Sequence, residues 1–153
     1  MKPLTREILD VINGTSLFRN VLNGEVRHLG AGQCELYVAL KPEHRQFLGS
    51  AHGGIVGALA DDACAWACAS MTGSLVTASY TINFLAPASG DALVARGQLV
   101  KAGRRVIVGK AEVYDIDGTT ERLVSIYQAT LAPTEWPKAL EIAESLPSGP
   151  NPL

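Results

Sequence analysis

The stretch HGGIVGALADDACAWACASM, residues 52–71, decides how this chain folds. After His52 and two glycines it continues as a run of small apolar residues that is long enough for one buried helix. The adjacent acids Asp61 and Asp62 interrupt that run near its middle, although aspartate is rarely buried without a partner. We therefore expect a helix that is covered on most sides, and a specific reason for each of the two carboxylates.

The segments on either side of this helix alternate between apolar and polar residues, which is typical of β-strands. Two such segments precede the helix and four follow it, at residues 25–29, 34–40, 75–85, 92–100, 106–116 and 123–131. Short connections such as Asp117-Gly118 require neighbouring strands to pair antiparallel. The sequence therefore predicts an α+β fold in which a curved antiparallel sheet wraps around the central helix.

The length and composition fit a single domain over residues 1–153, because 47% hydrophobic and 18% charged residues are ordinary values for a globular protein. Residues 1–23 contain two short segments with helical spacing of apolar side chains, which we expect to form an N-terminal helical cover. Residues 134–153 are expected to form a C-terminal tail, in which residues 134–146 are helical and turn Trp136 inward.

Composition also excludes several classes of protein. The net charge is −2 without any run of like charges, so nucleic acid is not expected as a partner. Residues 55–71 could suggest a membrane span, but two aspartates at its centre argue against insertion. The N-terminus lacks the apolar region of a signal peptide. The three cysteines, Cys34, Cys64 and Cys68, lack metal-ligand spacing and are interpreted as core residues. We expect a soluble cytoplasmic protein with no metal and no cofactor.

The N-terminus of the central helix is a candidate binding site. Its first N–H groups have no partner within the helix, and Gly53 and Gly54 would let a ligand oxygen approach them closely. The alternative is a glycine pair that only directs the chain. His52 could be a catalytic base, but a hydrogen bond that fixes the loop is the favoured interpretation. His28 and His44 are interpreted as surface residues, without zinc-ligand spacing.

The paired acids have two interpretations each. Asp61 lies two to three turns into the helix, so its carboxylate cannot cap the N-terminus. It could be a structural residue with one buried partner, or a general base or nucleophile in a cleft. Asp62 points about 100° away around the helix and has the same two interpretations. The pattern alone does not choose between them.

A cluster of basic residues follows the fourth predicted strand: Lys101, Arg104, Arg105 and Lys110. Such a cluster is usually a solvated hairpin. It could instead bind phosphate, because the guanidinium group matches phosphate geometry.

Taken together, these residues resemble the hotdog-fold acyl-CoA thioesterases, and most of all the phenylacetate-degradation (PaaI-type) branch. The resemblance extends over residues 24–131. The motifs that carry it are Gln46-x5-His52-Gly53-Gly54, Leu59-Ala60-Asp61, Thr81-Ile82-Asn83-Phe84-Leu85-x-Pro87 and Gly103-Arg104-Arg105.

The resemblance implies a hotdog fold, with homodimers that pair into homotetramers and active sites at the dimer interface. It also implies an acyl-CoA substrate. Asp61 matches the acid of the family, which acts as nucleophile or as general base for water. The backbone N–H of Gly53 matches the group that polarises the thioester carbonyl, and His52 matches the residue that shapes the loop before it.

Further roles follow from the same resemblance. Gln46 and Thr77 would position the carbonyl or the water, and Arg104 or Arg105 would meet the phosphates of CoA. Many relatives of the Asp type carry Asn at the position of Gln46, so the substrate and the detailed mechanism stay open.

Two other functions remain as alternatives. A hydratase or dehydratase of hydroxyacyl thioesters would share the fold, but its usual motifs are absent from this sequence. A non-enzymatic acyl-CoA sensor would also share the fold, but such proteins lose the acid that is present here as Asp61. The acyl group itself could be aliphatic, aromatic or hydroxyaromatic.

Overall fold

The structure is a computed structural model that describes residues 2–136, apart from the side chain of Thr15. The helices within that range are α1 (Arg6–Thr15), α2 (Leu17–Leu22) and α3 (Gly53–Thr72), with a short 3-10 turn at Pro42–His44. The strands are β1 (Glu25–Gly30), β2 (Gln33–Ala39), β3 (Leu75–Phe84), β4 (Ala92–Ala102), β5 (Ile107–Asp117) and β6 (Thr120–Pro133). All six predicted strands and the central helix are confirmed.

The strands form one sheet in the order β1-β2-β4-β5-β6-β3, and every neighbouring pair is antiparallel. Helix α3 packs along one face of this curved sheet, where Leu59, Ala60 and Ala63 are fully buried. The α+β class and the sheet wrapped around a central helix are therefore confirmed. None of the helices within residues 2–136 combines the length and the apolar character that a bilayer crossing requires.

Small residues allow α3 to lie very close to the sheet. A Cβ atom at Gly97 would lie 2.0 Å from the carbonyl oxygen of Ala63. A Cβ atom at Gly109 would lie 2.6 Å from the sulfur atoms of Cys64 and Cys68. All three cysteines are buried and free, which confirms their interpretation as core residues.

The N-terminal helices cover one side of α3. Thr5 caps α1 by accepting a hydrogen bond from the N–H of Ile8, and Asn23 ends α2 in the left-handed conformation. Leu9 and Leu22 from these helices are fully buried. Both helices lie within residues 1–23, where the cover was expected.

The predicted C-terminal helix at residues 134–146 lies outside the described residues, except for residues 134–136, which are not helical. Trp136 is half-buried and packs against the core, as expected. Its indole N–H donates a hydrogen bond of 3.0 Å to the carbonyl oxygen of Lys2.

The N-terminal cover supplies the partner of Asp62. Arg19 on α2 is buried, and its guanidinium lies 3.1 Å from the Asp62 carboxylate and 4.6 Å from the centre of the Trp66 ring. The same guanidinium donates to the carbonyl oxygen of Gly24. Burial raises the pKa of Asp62 to about 6, although Arg19 acts in the opposite direction. Asp62 thus has a structural role, in which it joins the cover to the central helix.

The buried carboxyl group of Asp62 should make stability depend on pH. Folding raises the pKa of Asp62 from 3.8 to about 6, so between these values the folded protein binds more protons at Asp62 than the unfolded chain does. The contribution of Asp62 to the free energy of unfolding is fully present below about pH 4 and is lost as the pH rises through 6, by up to about 3 kcal/mol.

Urea unfolding of the wild type and of Asp62→Asn across this range tests the prediction. The stability of the wild type relative to the variant should fall as the pH rises. A difference between the two proteins that stays constant with pH would contradict it.

Candidate active site

The N-terminus of α3 is shaped by His52. This residue is the N-cap, and its ring Nδ1 accepts a hydrogen bond of 2.9 Å from the N–H of Gly54. This hydrogen bond fixes the loop, which is the role that we favoured for His52 from the sequence. Within residues 2–136 the N–H of Gly53 has no hydrogen-bond partner, so it is the donor that this helix end offers to a ligand.

A cavity of about 380 Å³ lies next to this helix end. Gly53 and Gln46 both line it, together with the aromatic ring of Phe84. The side-chain amide of Gln46 donates a hydrogen bond of 2.8 Å to the hydroxyl of Ser50, which fixes the amide against the loop. The structure therefore brings together two of the candidate residues, Gln46 and Gly53, around one cavity.

The prediction that His44 lies on the surface is wrong, because its side chain is fully buried. Its Nδ1 accepts a hydrogen bond from the N–H of Lys41, and its Nε2 lies 2.7 Å from the carbonyl oxygen of Val21. Its own carbonyl oxygen accepts from the N–H of His52. A buried imidazole is tolerated here because both ring nitrogens have partners. His28 is exposed, as predicted.

The carboxylate of Asp61 is half-buried and is held at one oxygen only. Oδ1 accepts a hydrogen bond of 2.8 Å from the hydroxyl of Thr77 and one of 2.5 Å from the hydroxyl of Tyr127. In the described part of the chain Oδ2 has no partner. One oxygen of this carboxylate is therefore fixed, while the other remains free to act on a ligand.

A β-bulge in β3 brings Thr77 to Asp61. Strict alternation along β3 would place Thr77 and Tyr80 on opposite faces, but the structure places them on the same face. Thr77 pairs with Leu131 whereas Ser79 pairs with Thr130, so the register shifts by one residue between them. Such a shift exchanges the two faces of a strand, because side chains alternate with a period of two. Thr77 consequently faces the helix together with Tyr80.

Tyr127 is the site residue that the sequence did not indicate. Burial, together with the hydrogen bond to Asp61, raises the pKa of its phenol, so the phenol stays protonated and acts as donor. Its ring stacks on that of Tyr80 with 5.1 Å between the ring centres. The only local signal was a hydroxyl on the apolar face of a predicted strand, and that signal does not point to Asp61.

Known proteins are similar to this chain in sequence and in fold. Residues 48–121, which include Gly53, Asp61 and Thr77, match the model of the thioesterase superfamily. A thioesterase family protein from Silicibacter pomeroyi is 29% identical, over 82% of this chain and 95% of that chain, with a TM-score of 0.78. Residues 48–121 therefore resemble the thioesterase superfamily, and the chain has the hotdog fold.

Other solved structures are also similar to this chain. A conserved protein from Pseudomonas aeruginosa is 27% identical over 84% of this chain and 98% of that chain, with a TM-score of 0.72. A mutant form of the phenylacetic acid degradation protein PaaI from Thermus thermophilus is 28% identical over 76% of this chain and 98% of that chain, with a TM-score of 0.68. No curated protein matches the sequence.

Within one chain of this hotdog fold, Asp61 and Gly53 are far apart. They are eight positions apart in the helix, which corresponds to about 12 Å along the axis. Asp61 does not line the cavity next to Gly53. The structure therefore brings the candidate residues together as two groups, one around Gly53 and one around Asp61.

The basic candidates lie apart from both groups. Arg104 and Arg105 are exposed in the connection between β4 and β5, and within residues 2–136 neither forms an ion pair. Neither lines the cavity next to Gly53. Across the described residues there is also no cluster of three or more His, Cys, Asp or Glu side chains that could hold a metal ion.

Proposed function

We propose that this protein hydrolyses the thioester bond of an acyl-CoA and releases the free acid and CoA. The observation that carries the proposal is the half-buried carboxylate of Asp61, whose Oδ1 is fixed by two hydroxyls while Oδ2 is free. The similarity of residues 48–121 to the thioesterase superfamily supports it. The free N–H of Gly53 adds the donor that the carbonyl oxygen of the substrate requires.

Two routes use the free oxygen of Asp61. As a nucleophile, Oδ2 attacks the thioester carbon, the C–S bond breaks, CoA leaves as a thiolate, and water then hydrolyses the anhydride. As a general base, Asp61 takes a proton from water, whose oxygen attacks the same carbon. In both routes negative charge develops on the carbonyl oxygen, where the N–H of Gly53 would stabilise it.

We further propose that one active site is built from two subunits. The distance of about 12 Å along α3 prevents Gly53 and Asp61 of one chain from acting on the same carbonyl. Strand β3 lies at an edge of the sheet, and Tyr80 and Phe84 on it are 57% and 56% exposed. Such an edge can pair with a second copy. In a homodimer, or in a homotetramer of two such dimers, Asp61 of one subunit would face Gly53 of the partner subunit.

The remaining candidates take supporting roles in this proposal. Gln46 shares the cavity with Gly53 and would position the carbonyl. The hydroxyl of Thr77 donates a hydrogen bond to Asp61, so the lone pairs of its oxygen can accept a hydrogen bond from the attacking water.

The other candidates would contact the rest of the substrate. Arg104 and Arg105 are free to meet the phosphates of CoA. The N–H of Gly54 is already bound to His52, so Gly54 would contribute only room for the substrate. With CoA esters as substrates, we expect the protein to act in the cytoplasm.

A panel of CoA thioesters tests the function. Aliphatic, aromatic and hydroxyaromatic esters are incubated with the protein, and release of free thiol is followed with a chromogenic thiol reagent. We expect at least one class to be hydrolysed well above the rate without protein. Crotonyl-CoA serves as a control for hydration of the acyl group. Tight binding of the esters without release of thiol from any of them would contradict the proposal.

A further inference from the structure

The hydrogen bonds to Asp61 come from two neighbouring strands of the sheet. Thr77 lies on β3 and Tyr127 lies on β6, which pair with each other, and both hydroxyls donate to the same oxygen, Oδ1. Tyr127 is only 3% exposed, so its phenol has little access to water as an alternative partner. The contact between Tyr127 and Asp61 joins residues that are 66 positions apart in the chain.

Two donors at one oxygen determine how the carboxylate is oriented. A lone aspartate side chain rotates about two bonds, and a single hydrogen bond restrains it incompletely. The ring of Tyr127 is itself restrained, because it is buried and stacks on Tyr80. Hydrogen bonds donated to a carboxylate also favour its ionised form, which is the form that either route of hydrolysis uses.

We propose that Tyr127 is a positioning residue for the hydrolysis, which fixes Oδ1 of Asp61 so that Oδ2 faces the substrate as the reactive, ionised oxygen. This inference rests on the proposed function. Tyr127 acts through Asp61 and does not itself take or give a proton. If the phenol of Tyr127 were purely structural, its hydroxyl would need only some hydrogen-bond partner. Loss of that hydroxyl would then leave the protonation of Asp61 during catalysis unchanged.

The test is the pH dependence of kcat/KM for Tyr127→Phe. Loss of a donor to the carboxylate favours its protonated form, so the acid limb of the profile should move to higher pH by about one unit. The plateau of kcat should fall about tenfold because the carboxylate is less well oriented. KM should change little, since Tyr127 is not proposed to bind the substrate.

Tyr114→Phe is the matched control. The hydroxyl of Tyr114 also donates to a carboxylate at 2.5 Å, that of Glu112, but both lie on β5 and away from Asp61. Its removal should leave the pH profile and kcat unchanged. A profile of Tyr127→Phe that coincides with those of Tyr114→Phe and the wild type would overturn the inference.

Other titratable groups near Asp61 are controlled in the same experiment. They are Asp62 and Cys64 on α3, Tyr80 on β3 and Tyr127 itself on β6. Because Asp62 titrates near pH 6, the comparison is repeated in an Asp62→Asn background. The shift caused by Tyr127→Phe should persist there. If the shift disappears in this background, the acid limb of the pH profile reports Asp62, and the inference is overturned.

A second variant of the tyrosine keeps the inference testable if Tyr127→Phe does not fold. Incorporation of 3-fluorotyrosine at all four tyrosines makes each phenol more acidic and a stronger donor. The acid limb should then move to lower pH, opposite to the effect of Tyr127→Phe. An unchanged limb in the fluorinated protein would overturn the inference.

Failure of the inference and failure of the proposed function give different results. If the wild type releases no thiol from any CoA ester, the proposed function fails, and the inference fails with it. If the wild type hydrolyses an ester, Asp61→Asn does not, and Tyr127→Phe keeps the wild-type profile, only the role of Tyr127 fails.

Discussion

Replacement of Asp61 by asparagine should lower kcat for the best CoA ester by about 10²–10⁴-fold, while the fold stays intact. An amide can neither attack the thioester carbon nor take a proton from water. Its oxygen can still accept the hydrogen bonds from Thr77 and Tyr127, so the packing around α3 should be retained. Release of thiol measures the activity, and circular dichroism with urea unfolding measures the fold.

The neighbouring acid provides a control for this experiment. Asp62→Asn makes the same chemical change one residue further along α3, where the carboxylate contacts Arg19 of the N-terminal cover. This variant should keep a kcat close to that of the wild type and should differ mainly in stability. If Asp61→Asn keeps the wild-type kcat on every ester that the wild type hydrolyses, the proposed mechanism is ruled out.

Loss of the N–H group of Gly53 should lower kcat by about 10²–10³-fold, the effect of removing one oxyanion donor. Gly53→Pro removes this N–H, and proline is compatible with the first position of a helix. His52 before it has φ −64° and ψ 137°, an extended conformation that a residue before proline requires. A proline here should therefore remove the donor without unfolding α3.

Gly53→Ala controls for the added Cβ atom. Its Cβ would lie 3.3 Å from the ring of Phe84, as would the Cβ of the proline, but the N–H is retained. The alanine variant should lose far less activity than the proline variant. Equal losses in the two variants would assign the effect to the contact with Phe84 and would contradict a role for the N–H.

The two inactive variants together test whether one site uses two subunits. If Asp61 of one subunit works with Gly53 of the partner subunit, a heterodimer of Asp61→Asn and Gly53→Pro contains one intact site and one doubly altered site. The heterodimer should then show about half of the wild-type activity. Differently tagged chains, co-expressed and purified through both tags, allow this measurement. No recovery in the purified heterodimer would contradict a shared site.

Much of the fold follows from local sequence pattern. The alternation of apolar and polar residues identified all six strands, and the run of small residues identified α3. The strand order could not be predicted in the same way, because β3 follows α3 in sequence but lies at the far edge beside β6. Such pairing depends on contacts between residues distant in the chain.

The candidate site was only partly predictable for the same reason. The pattern drew attention to the two acids and the glycine pair, because such residues are unusual in a buried helix, and the family resemblance then indicated Asp61 and Gly53. It could not show that Thr77 faces the helix, since a bulge of one residue is not visible in alternation. It overlooked Tyr127, whose partner is distant in the chain. It also treated His44 as a surface residue, although its hydrogen bonds let it be buried.

The sequence alone thus determined the α+β class, a central helix within about one residue of the observed one (52–71 expected, Gly53–Thr72 observed) and the presence of two acids within it. Only the tertiary structure decided which partners those acids have. It pairs Asp62 with Arg19 in the N-terminal cover and places Asp61 against two hydroxyls from the sheet. Periodicity reports which residues share a face, whereas hydrogen-bond partners depend on which elements pack against that face.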